Sequence, residues 1–320
     1  MIDTRTGTSP LFHLFSSTCA SGATVALFGE VLADVFPDRT VLGGAPFNVA
    51  RHLRAFGLNP VLITRTGNDA LREQLLGAMS RYGMETLGVQ LDPVYPTGQV
   101  RVHLEDGGHR FEILDKQAYD FIHTAVARMS GLGIHPALVY FGTLAQRHET
   151  SRRALRALLA RTDAPTFLDV NLRAPWYETQ TIRRSLQHAD IVKLNADELT
   201  ELAGLFALAG DTPEGQARAM MQKFGIAAIL TTCGAEGAWL VETERAAIRV
   251  AAQAENITLV DTVGAGDGFA AVFILGMLRR WKLPLTLGRA HAFAGSICGI
   301  RGAIPEHDDF YQPFIKEWNR

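Results

Sequence analysis

The stretch DTVGAGDGF, residues Asp261–Phe269, combines bare backbone, one carboxylate and the start of an apolar helical pattern. The spacing of the apolar residues from Phe269 onward predicts a helix that begins close to Gly264. Glycines at a helix start let backbone N–H groups approach a ligand, and the helix N-terminus adds about half a positive charge. Asp267 could accept a proton from a hydroxyl that attacks a phosphoryl group. The stretch therefore indicates phosphoryl transfer, with a glycine loop and an acidic helix cap as the alternative interpretation.

Composition limits the class of protein. The chain has 320 residues, 47% of them apolar, and a net charge of -2, which together indicate a globular protein with a sizeable core. This charge balance provides no basic surface for nucleic acid or an anionic membrane. The three cysteines, Cys19, Cys233 and Cys298, are too far apart to suggest a disulfide framework or a metal site, and favour the reducing cytoplasm. The apolar stretch Leu11–Phe15 is too short for a signal peptide.

Apolar strand patterns alternate with helical patterns along most of the chain. The predicted strands are 24–29, 61–67, 137–142, 166–170, 190–195 and 226–232, and the predicted helices include 46–56, 68–82, 152–161 and 179–188. This order predicts an α/β fold, a doubly wound and mostly parallel sheet flanked by helices. Ligands of such sheets bind beyond the carboxyl ends of the strands.

One segment departs from this alternation. QVRVHL (99–104) and HRFEIL (109–114) alternate polar and apolar residues around a glycine-containing turn, which predicts an antiparallel hairpin. LGVQLD (87–92) precedes them, so the three stretches could form a small second sheet. We expect this sheet to be an insertion into the main domain.

Two motifs resemble the signatures of the ribokinase-like (PfkB-type) carbohydrate kinases. DTVGAGDGF is similar to their D-T-x-G-A-G-D signature, and LGGAPFNVA (42–50) to their glycine pair followed by an asparagine on a helix. The resemblance extends from about Thr24 to Pro305. It implies a kinase domain over 23–320 that uses ATP and Mg²⁺, with a β-sheet lid around 31–42 and 87–114. We interpret residues 1–22 as a loosely ordered N-terminal extension.

The resemblance assigns roles to the residues of these motifs. Asp267 matches the catalytic base, and Gly264, Ala265 and Gly266 match the anion hole for the transferred phosphoryl group. The positions that match the sugar-binding residues are Asp34, Gly44 and Asn48. A carboxylate and an amide suit a polyol because together they accept and donate several hydrogen bonds.

Further matches concern the nucleotide. Asn195 and Glu198 in KLNADEL match residues that arrange Mg²⁺ and phosphates, largely through water, since Mg²⁺ keeps several of its waters. A capping box is the alternative interpretation of this pair. In TTCGAEGA, the resemblance places Thr232, Gly234 and Gly237 along the phosphates and ribose of ATP.

Other positions are open to two interpretations. Arg173 matches a residue that could neutralise phosphate or contact the sugar, or it could form a surface salt bridge. Asp261 and Val263 match a monovalent cation site, such as one for K⁺, which the segment around 301–303 would complete. His291 lies where the family packs adenine, but a core or surface histidine is the alternative.

The run 29–50 is similar to that of bacterial fructokinases, which favours D-fructose as the substrate and fructose 6-phosphate as the product. Arg173 keeps a sugar acid such as 2-keto-3-deoxygluconate in consideration, and a nucleoside or another small sugar is a further alternative. A non-catalytic sugar sensor with the same fold is the rival from another class, although such a binder needs no base at Asp267. The family often pairs its lids, so we expect a homodimer through residues 87–114.

Overall fold

The computed structural model describes residues 9–15, 22–105, 108–243, 245–251 and 258–319. It confirms the predicted α/β class, because a large, mostly parallel sheet carries a hydrophobic cluster on each face and a smaller sheet lies beside it. The helices in the described residues are α1 (Ala45–Ala55), α2 (Ala70–Arg81), α3 (Thr124–Ile134), α4 (Glu149–Leu159), α5 (Thr179–Gln187), α6 (Ala196–Phe206), α7 (Pro213–Phe224), α8 (Ala265–Leu278), α9 (Leu283–Cys298) and α10 (Gln312–Trp318).

The strands follow the predicted alternation with these helices. In chain order, those of the described residues are β1 (Thr24–Phe28), β2 (Leu32–Val35), β3 (Thr40–Gly43), β4 (Asn59–Thr66), β5 (Val89–Leu91), β6 (Gly98–Glu105), β7 (Gly108–Ile113), β8 (Leu138–Phe141), β9 (Thr166–Asp169), β10 (Ile191–Asn195), β11 (Ala228–Thr232), β12 (Ala238–Glu242) and β13 (Ile248–Val250).

Within the described ranges, the main sheet has the order β13-β12-β11-β10-β9-β8-β1-β4-β5. The pairs from β11 through β5 are parallel, and β12 and β13 are antiparallel additions at one edge. The carboxyl ends of β1, β9, β10 and β11 therefore open on the same side of the sheet. Loops that carry polar residues leave the sheet there, as expected for a ligand site in a parallel α/β fold.

The smaller sheet has the order β3-β2-β6-β7 in the described part of the chain. Its β6–β7 pair is the predicted antiparallel hairpin, although residues 106–107 of the turn lie outside the described residues. The expectation for 87–92 is wrong, because β5 pairs in parallel with β4 of the main sheet. A stretch of three strand residues carries too short an alternation to indicate which sheet it joins.

Part of the N-terminal extension is packed against the core. Ser9 and Phe15 bound a stretch that contains a short 3₁₀ helix, Pro10–Leu14, and Leu11 is only 1% exposed. The Ser9 hydroxyl donates a hydrogen bond to the buried carboxylate of Glu242. For 9–15 the interpretation as a loosely ordered segment is therefore wrong, because its apolar side chains join the core; residues 1–8 and 16–21 lie outside the described ranges.

Helix α8 is buried along nearly its whole length, from Gly268 to Leu278. It packs against α9 and α1, and this packing fixes the position of its N-terminus at the ligand side of the sheet. Throughout the described residues, every helix is too short or too polar to cross a lipid bilayer.

Candidate active site

The N-terminus of α8 is built from close backbone packing. Gly264 is the N-cap with φ of 81°, and a Cβ there would lie 2.3 Å from the Cβ of Ala303, so a larger residue would push this loop apart. The Ala265 N–H turns back to the Thr262 carbonyl at 3.3 Å, while the regular helix bonding starts with Gly268 N–H and Gly264 O at 2.9 Å. The N–H groups of Gly266 and Asp267 belong to the first turn, where helix geometry leaves them for an external acceptor.

Asp267 lies in this first turn and meets a residue from the other signature. The Asn48 amide on α1 donates a hydrogen bond from Nδ2 to Asp267 Oδ2 at 2.8 Å, which joins positions 219 residues apart. Burial raises the pKa of Asp267 to about 6, the Asp169 charge adds to this rise, and the Asn48 bond and the cations Lys193 and Arg173 oppose it. Asp267 is thus a buried carboxyl whose pKa approaches neutrality, as a general base requires.

The other predicted sugar residues are held at the start of α1 and in β2. Gly44 is the N-cap of α1 with φ of 104°, and a Cβ there would lie 2.9 Å from the backbone oxygen of Glu30. Asp34 lies in β2, half-buried. Burial raises the pKa of Asp34 to about 6, with Arg173 opposing and Asp261 reinforcing the rise. Asp34, Arg173 and Asp261 are thus near enough to share one electrostatic environment.

A buried ion pair lies at the carboxyl ends of β9 and β10. Lys193 Nζ donates to both carboxylate oxygens of Asp169, at 2.9 and 2.8 Å, and the Tyr140 hydroxyl donates to Asp169 Oδ2 at 3.3 Å. A Cβ at Gly266 would lie 3.3 Å from Lys193 Nζ, so this ammonium reaches the glycine loop. Sequence analysis missed this lysine, because nothing in the spacing of KLNADEL shows that its side chain turns toward another motif.

Asn195 and Glu198 form the capping box that was the alternative interpretation. Asn195 Oδ1 accepts the Glu198 N–H and Glu198 Oε2 accepts the Asn195 N–H, both at 2.8 Å. Glu198 Oε1 also accepts the Leu172 N–H at 2.8 Å, which ties α6 to the loop after β9. Burial raises the pKa of Glu198. These contacts leave the remaining lone pairs, rather than free carboxylate oxygens, for any metal or its waters.

The loop between β11 and β12 contains the predicted nucleotide residues. Thr232 is the last residue of β11 and pairs with Ala238. Gly234 and Gly237 have φ of 54° and 106°, and a Cβ at Gly237 would lie 2.0 Å from the Val250 carbonyl oxygen. Gly237 is thus required by the backbone, whereas a Cβ at Gly234 would meet open space, and the loop starts at the carboxyl end of β11, on the ligand side of the sheet.

Asp261 connects two loops. One of its oxygens accepts the Val263 N–H and the other the Gly302 N–H, each at 3.0 Å. The acid therefore orders the segments that the sequence predicted as a monovalent cation site, and a cation there would use its remaining lone pairs and nearby carbonyls. In the described residues no group of three or more acidic, histidine or cysteine side chains forms a metal cluster.

Arg173 is exposed, and its guanidinium donates to the Leu172 carbonyl at 3.2 Å. Its charge lowers the pKa of Glu30, Asp34 and Asp267, so the guanidinium lies close enough to these three acids to interact with them electrostatically. His291 lies half-buried on α9, and burial lowers its pKa. Glu30, in the run 29–50, is a buried acid that sequence analysis did not single out; the signal was a charged residue directly after the predicted apolar strand 24–29.

Comparisons with known proteins agree with this geometry. Residues 20–309 match the pfkB family of carbohydrate kinases. A protein of Pyrococcus horikoshii named as a sugar kinase is 29% identical over 279 residues, covering 83% of this chain and 84% of that protein. Fructokinase of Escherichia coli is 28% identical over 270 residues, covering 80% of this chain and 84% of that enzyme. The structure of Xylella fastidiosa fructokinase with bound ATP shares the fold, with a TM-score of 0.81 at 19% identity over 93% of this chain and 99% of that one. Because the family match spans nearly all of the described fold and both signatures, the chain belongs to the pfkB family of carbohydrate kinases.

Proposed function

We propose that the chain transfers the terminal phosphoryl group of ATP to a sugar hydroxyl, with D-fructose as substrate and fructose 6-phosphate as product. The observation that carries the proposal is the buried Asp267, which lies at the N-terminus of α8 and accepts a hydrogen bond from Asn48. One position thus joins a proton acceptor to a group of backbone donors. That combination matches the needs of hydroxyl attack on phosphorus.

In this mechanism Asp267 takes the proton of the attacking hydroxyl as its oxygen forms a bond to phosphorus. The bond from that phosphorus to the bridging oxygen breaks, and ADP leaves with the electron pair. The first-turn N–H groups of α8 and the nearby Lys193 ammonium stabilise negative charge on the phosphoryl oxygens. Asn48 holds the Asp267 carboxylate toward this position through its 2.8 Å hydrogen bond.

Mg²⁺ fits this site as a metal held mainly through water. Asn195 Oδ1 and both oxygens of Glu198 already accept backbone N–H groups, so they have lone pairs for metal-bound waters and few open direct positions. When bound, Mg²⁺ supplies charge neutralisation for the phosphates. We propose Asn195 and Glu198 as its outer ligands, and Thr232, Gly234 and Gly237 as the residues along ATP. A K⁺ ion at Asp261 and the Val263 carbonyl is the corresponding proposal for the second cation.

Fructose is proposed because the relatives include enzymes named fructokinase and because Asp34 and Asn48 suit neutral hydroxyls. Arg173 supports the alternative substrate, a sugar acid such as 2-keto-3-deoxygluconate, because its guanidinium interacts electrostatically with Asp34, a proposed sugar-binding residue. The test is ADP formation across ketoses, aldoses, sugar acids and nucleosides. A higher kcat/KM for ribose, a sugar acid or a nucleoside than for fructose would refute fructose but keep the kinase. If no compound of this panel led to ADP formation, a non-catalytic sugar sensor would be favoured.

We also propose that one domain, residues 23–320, carries the small sheet as a lid and dimerises through 87–114. Large apolar side chains are exposed in this region, with Leu87 at 86%, Val94 at 77% and Phe111 at 51%. Exposed apolar surface of this kind is typical of an interface. Light scattering at micromolar concentration should give the mass of a dimer, and a monomer would contradict the proposal.

A further inference from the structure

Glu30 is a buried acid that the proposed mechanism does not use. It follows β1 by two residues and precedes β2 by two, at the ligand side of the main sheet. Its side chain is 4% exposed, and its Oε2 atom has no hydrogen-bond partner among the described residues. A buried carboxyl with an unmet oxygen is costly to the fold, so a purely structural role would favour an apolar residue here.

The surroundings of Glu30 place it beside the reacting groups. Its backbone oxygen lies against Gly44, the N-cap of the helix that carries Asn48. Its carboxyl is close enough to Arg173, Asp267 and Arg147 for their charges to change its pKa. Burial raises that pKa to about 7, and a backbone hydrogen bond of Glu30 and the charges of Arg173 and Arg147 oppose the rise.

The neighbouring cations make their hydrogen bonds to other acceptors, while Arg147 Nη1 is itself buried without a partner among the described residues. Arg147 donates to both oxygens of Asp120 and to the Leu114 carbonyl, each at 2.7 Å. Arg173 donates to the Leu172 carbonyl. Both cations therefore interact with Glu30 electrostatically, without a direct hydrogen bond. Its Oε2 atom remains able to accept a hydrogen bond from another donor.

A second open acceptor lies on the same side of the site. Asn48 is 5% exposed and uses Nδ2 to bond Asp267, while its Oδ1 has no partner within the described chain. Two buried acceptors near the proposed proton acceptor suit a ligand with several hydroxyl donors. A polyol meets that requirement, whereas a carboxylate group would bring a second anion toward Glu30.

We propose that Glu30 is a sugar-binding residue whose Oε2 accepts a hydrogen bond from a hydroxyl other than the one phosphorylated. This inference rests on the proposed sugar kinase activity and deepens it. It assigns Glu30 a role in selecting neutral sugars with a hydroxyl at one defined position. The selection follows because an analogue without that hydroxyl leaves a buried acceptor unpaired.

The test combines one substitution with a set of substrates. Glu30→Met keeps the length of the side chain and removes the acceptor, and Glu30→Gln restores an acceptor oxygen. Each variant and the wild type are assayed for kcat/KM with the best sugar and with its deoxy analogues, each lacking one hydroxyl that is not phosphorylated. In the wild type, one analogue should lose at least about tenfold relative to the parent sugar.

In Glu30→Met, the parent sugar should fall by at least about tenfold while that analogue changes by less than about threefold, so the two become alike. Glu30→Gln should recover part of the discrimination. The Met variant should also have a higher Tm than the wild type, because an uncompensated buried carboxyl has been removed. Equal losses for the parent and every analogue, or a Met variant that is less stable or does not fold, would overturn the inference.

Glu242→Met is the matched control. Glu242 is 2% exposed, accepts the Ser9 hydroxyl and pairs with Ala228, at the end of β11 opposite Thr232 and the ligand side. The Glu242→Met substitution should lower Tm. It should leave the ratio of kcat/KM for the parent sugar to kcat/KM for the deoxy analogue as in the wild type. If the wild type phosphorylates no sugar, the proposed function is wrong. If it phosphorylates a sugar but Glu30→Met keeps the wild-type ratio of kcat/KM between the parent sugar and the analogue, only the proposed role of Glu30 is wrong.

Discussion

In the half of the site proposed for the sugar, Glu30 Oε2 and Asn48 Oδ1 are buried without partners within the described chain. In the half proposed for the nucleotide and its cations, both oxygens of Glu198 accept backbone N–H groups and both oxygens of Asp261 do the same. The first half needs a ligand to complete its hydrogen bonding. In the second half, these two acids are already bonded and fix the loops that a ligand would meet.

Burial raises the pKa of acids in both halves, Glu198 among them. Burial raises the pKa of Glu30, Asp34 and Asp267 in the half proposed for the sugar to values of about 7, 6 and 6. Asp169, between the halves, is instead paired with Lys193 through two bonds. Asp169 thus differs from the acids around it in having a direct cationic partner, which stabilises its carboxylate in the buried site.

The largest effect is expected from breaking the buried ion pair between Lys193 and Asp169. Lys193→Met would leave the Asp169 carboxylate buried without its ammonium partner, so the free energy of unfolding should fall by about 3–5 kcal/mol. Urea unfolding followed by circular dichroism measures this loss. The exposed Lys316→Met should change it by less than about 0.5 kcal/mol, and an equally small change in the Lys193 variant would refute the importance of the pair.

The next effect concerns the base. Asp267→Asn keeps the shape and one acceptor oxygen but cannot take up a proton at neutral pH, so kcat should fall by at least ~10². The KM for ATP should stay near that of the wild type, because the nucleotide half is held by its own contacts. The exposed Asp211→Asn serves as control in the same steady-state assay. Retention of most of kcat would exclude Asp267 as the base.

The pH dependence of kcat sharpens the contrast between the halves. The pKa of Asp267 is raised to about 6, so the deprotonated form that can act as a base is lost as the pH falls through that value. Below it, kcat should fall about tenfold for each pH unit. Rates from about pH 5 to 8 at saturating substrates test this, and a flat profile down to pH 5 would contradict it.

The smallest effect is expected from Arg173. Its guanidinium lowers the pKa of Asp267, so Arg173→Gln should raise that pKa and move the acid limb of kcat to higher pH. The shift should stay below about one unit, because Arg173 is exposed and solvent screens its charge. The profile should move less at high salt, and a shift toward lower pH would show that the sign is wrong.

Much of the fold could be predicted because its patterns are local. The apolar run after Asp267 indicated α8, the glycine pair before Asn48 indicated the start of α1, and the turn between 99–104 and 109–114 indicated the hairpin. Each of these depends on residues that are close in sequence. The order of elements then fixed the side of the sheet where ligands bind.

The rest depends on contacts between distant segments. No local pattern shows that Lys193 reaches Gly266, that Asn48 meets Asp267, or that the carboxyl of Glu30 is enclosed. The sheet of β5 and the packing of Leu11 were misjudged for the same reason, since both are decided by a partner far along the chain. The capping box of Asn195 is local, and sequence analysis included it as an alternative.

Asp34 belongs to β2, a strand of the smaller sheet, whereas Asn48 and Asp267 belong to helices on the main one. The candidate sugar pocket is therefore formed by two parts of the fold, the smaller sheet and the helices that pack on the main sheet. A sugar that bonded to both would join the two sheets as a removable crosslink. Amide hydrogens of β2 and β6 would then exchange more slowly when a sugar is bound. Slower exchange in the smaller sheet would therefore indicate that the pocket is occupied.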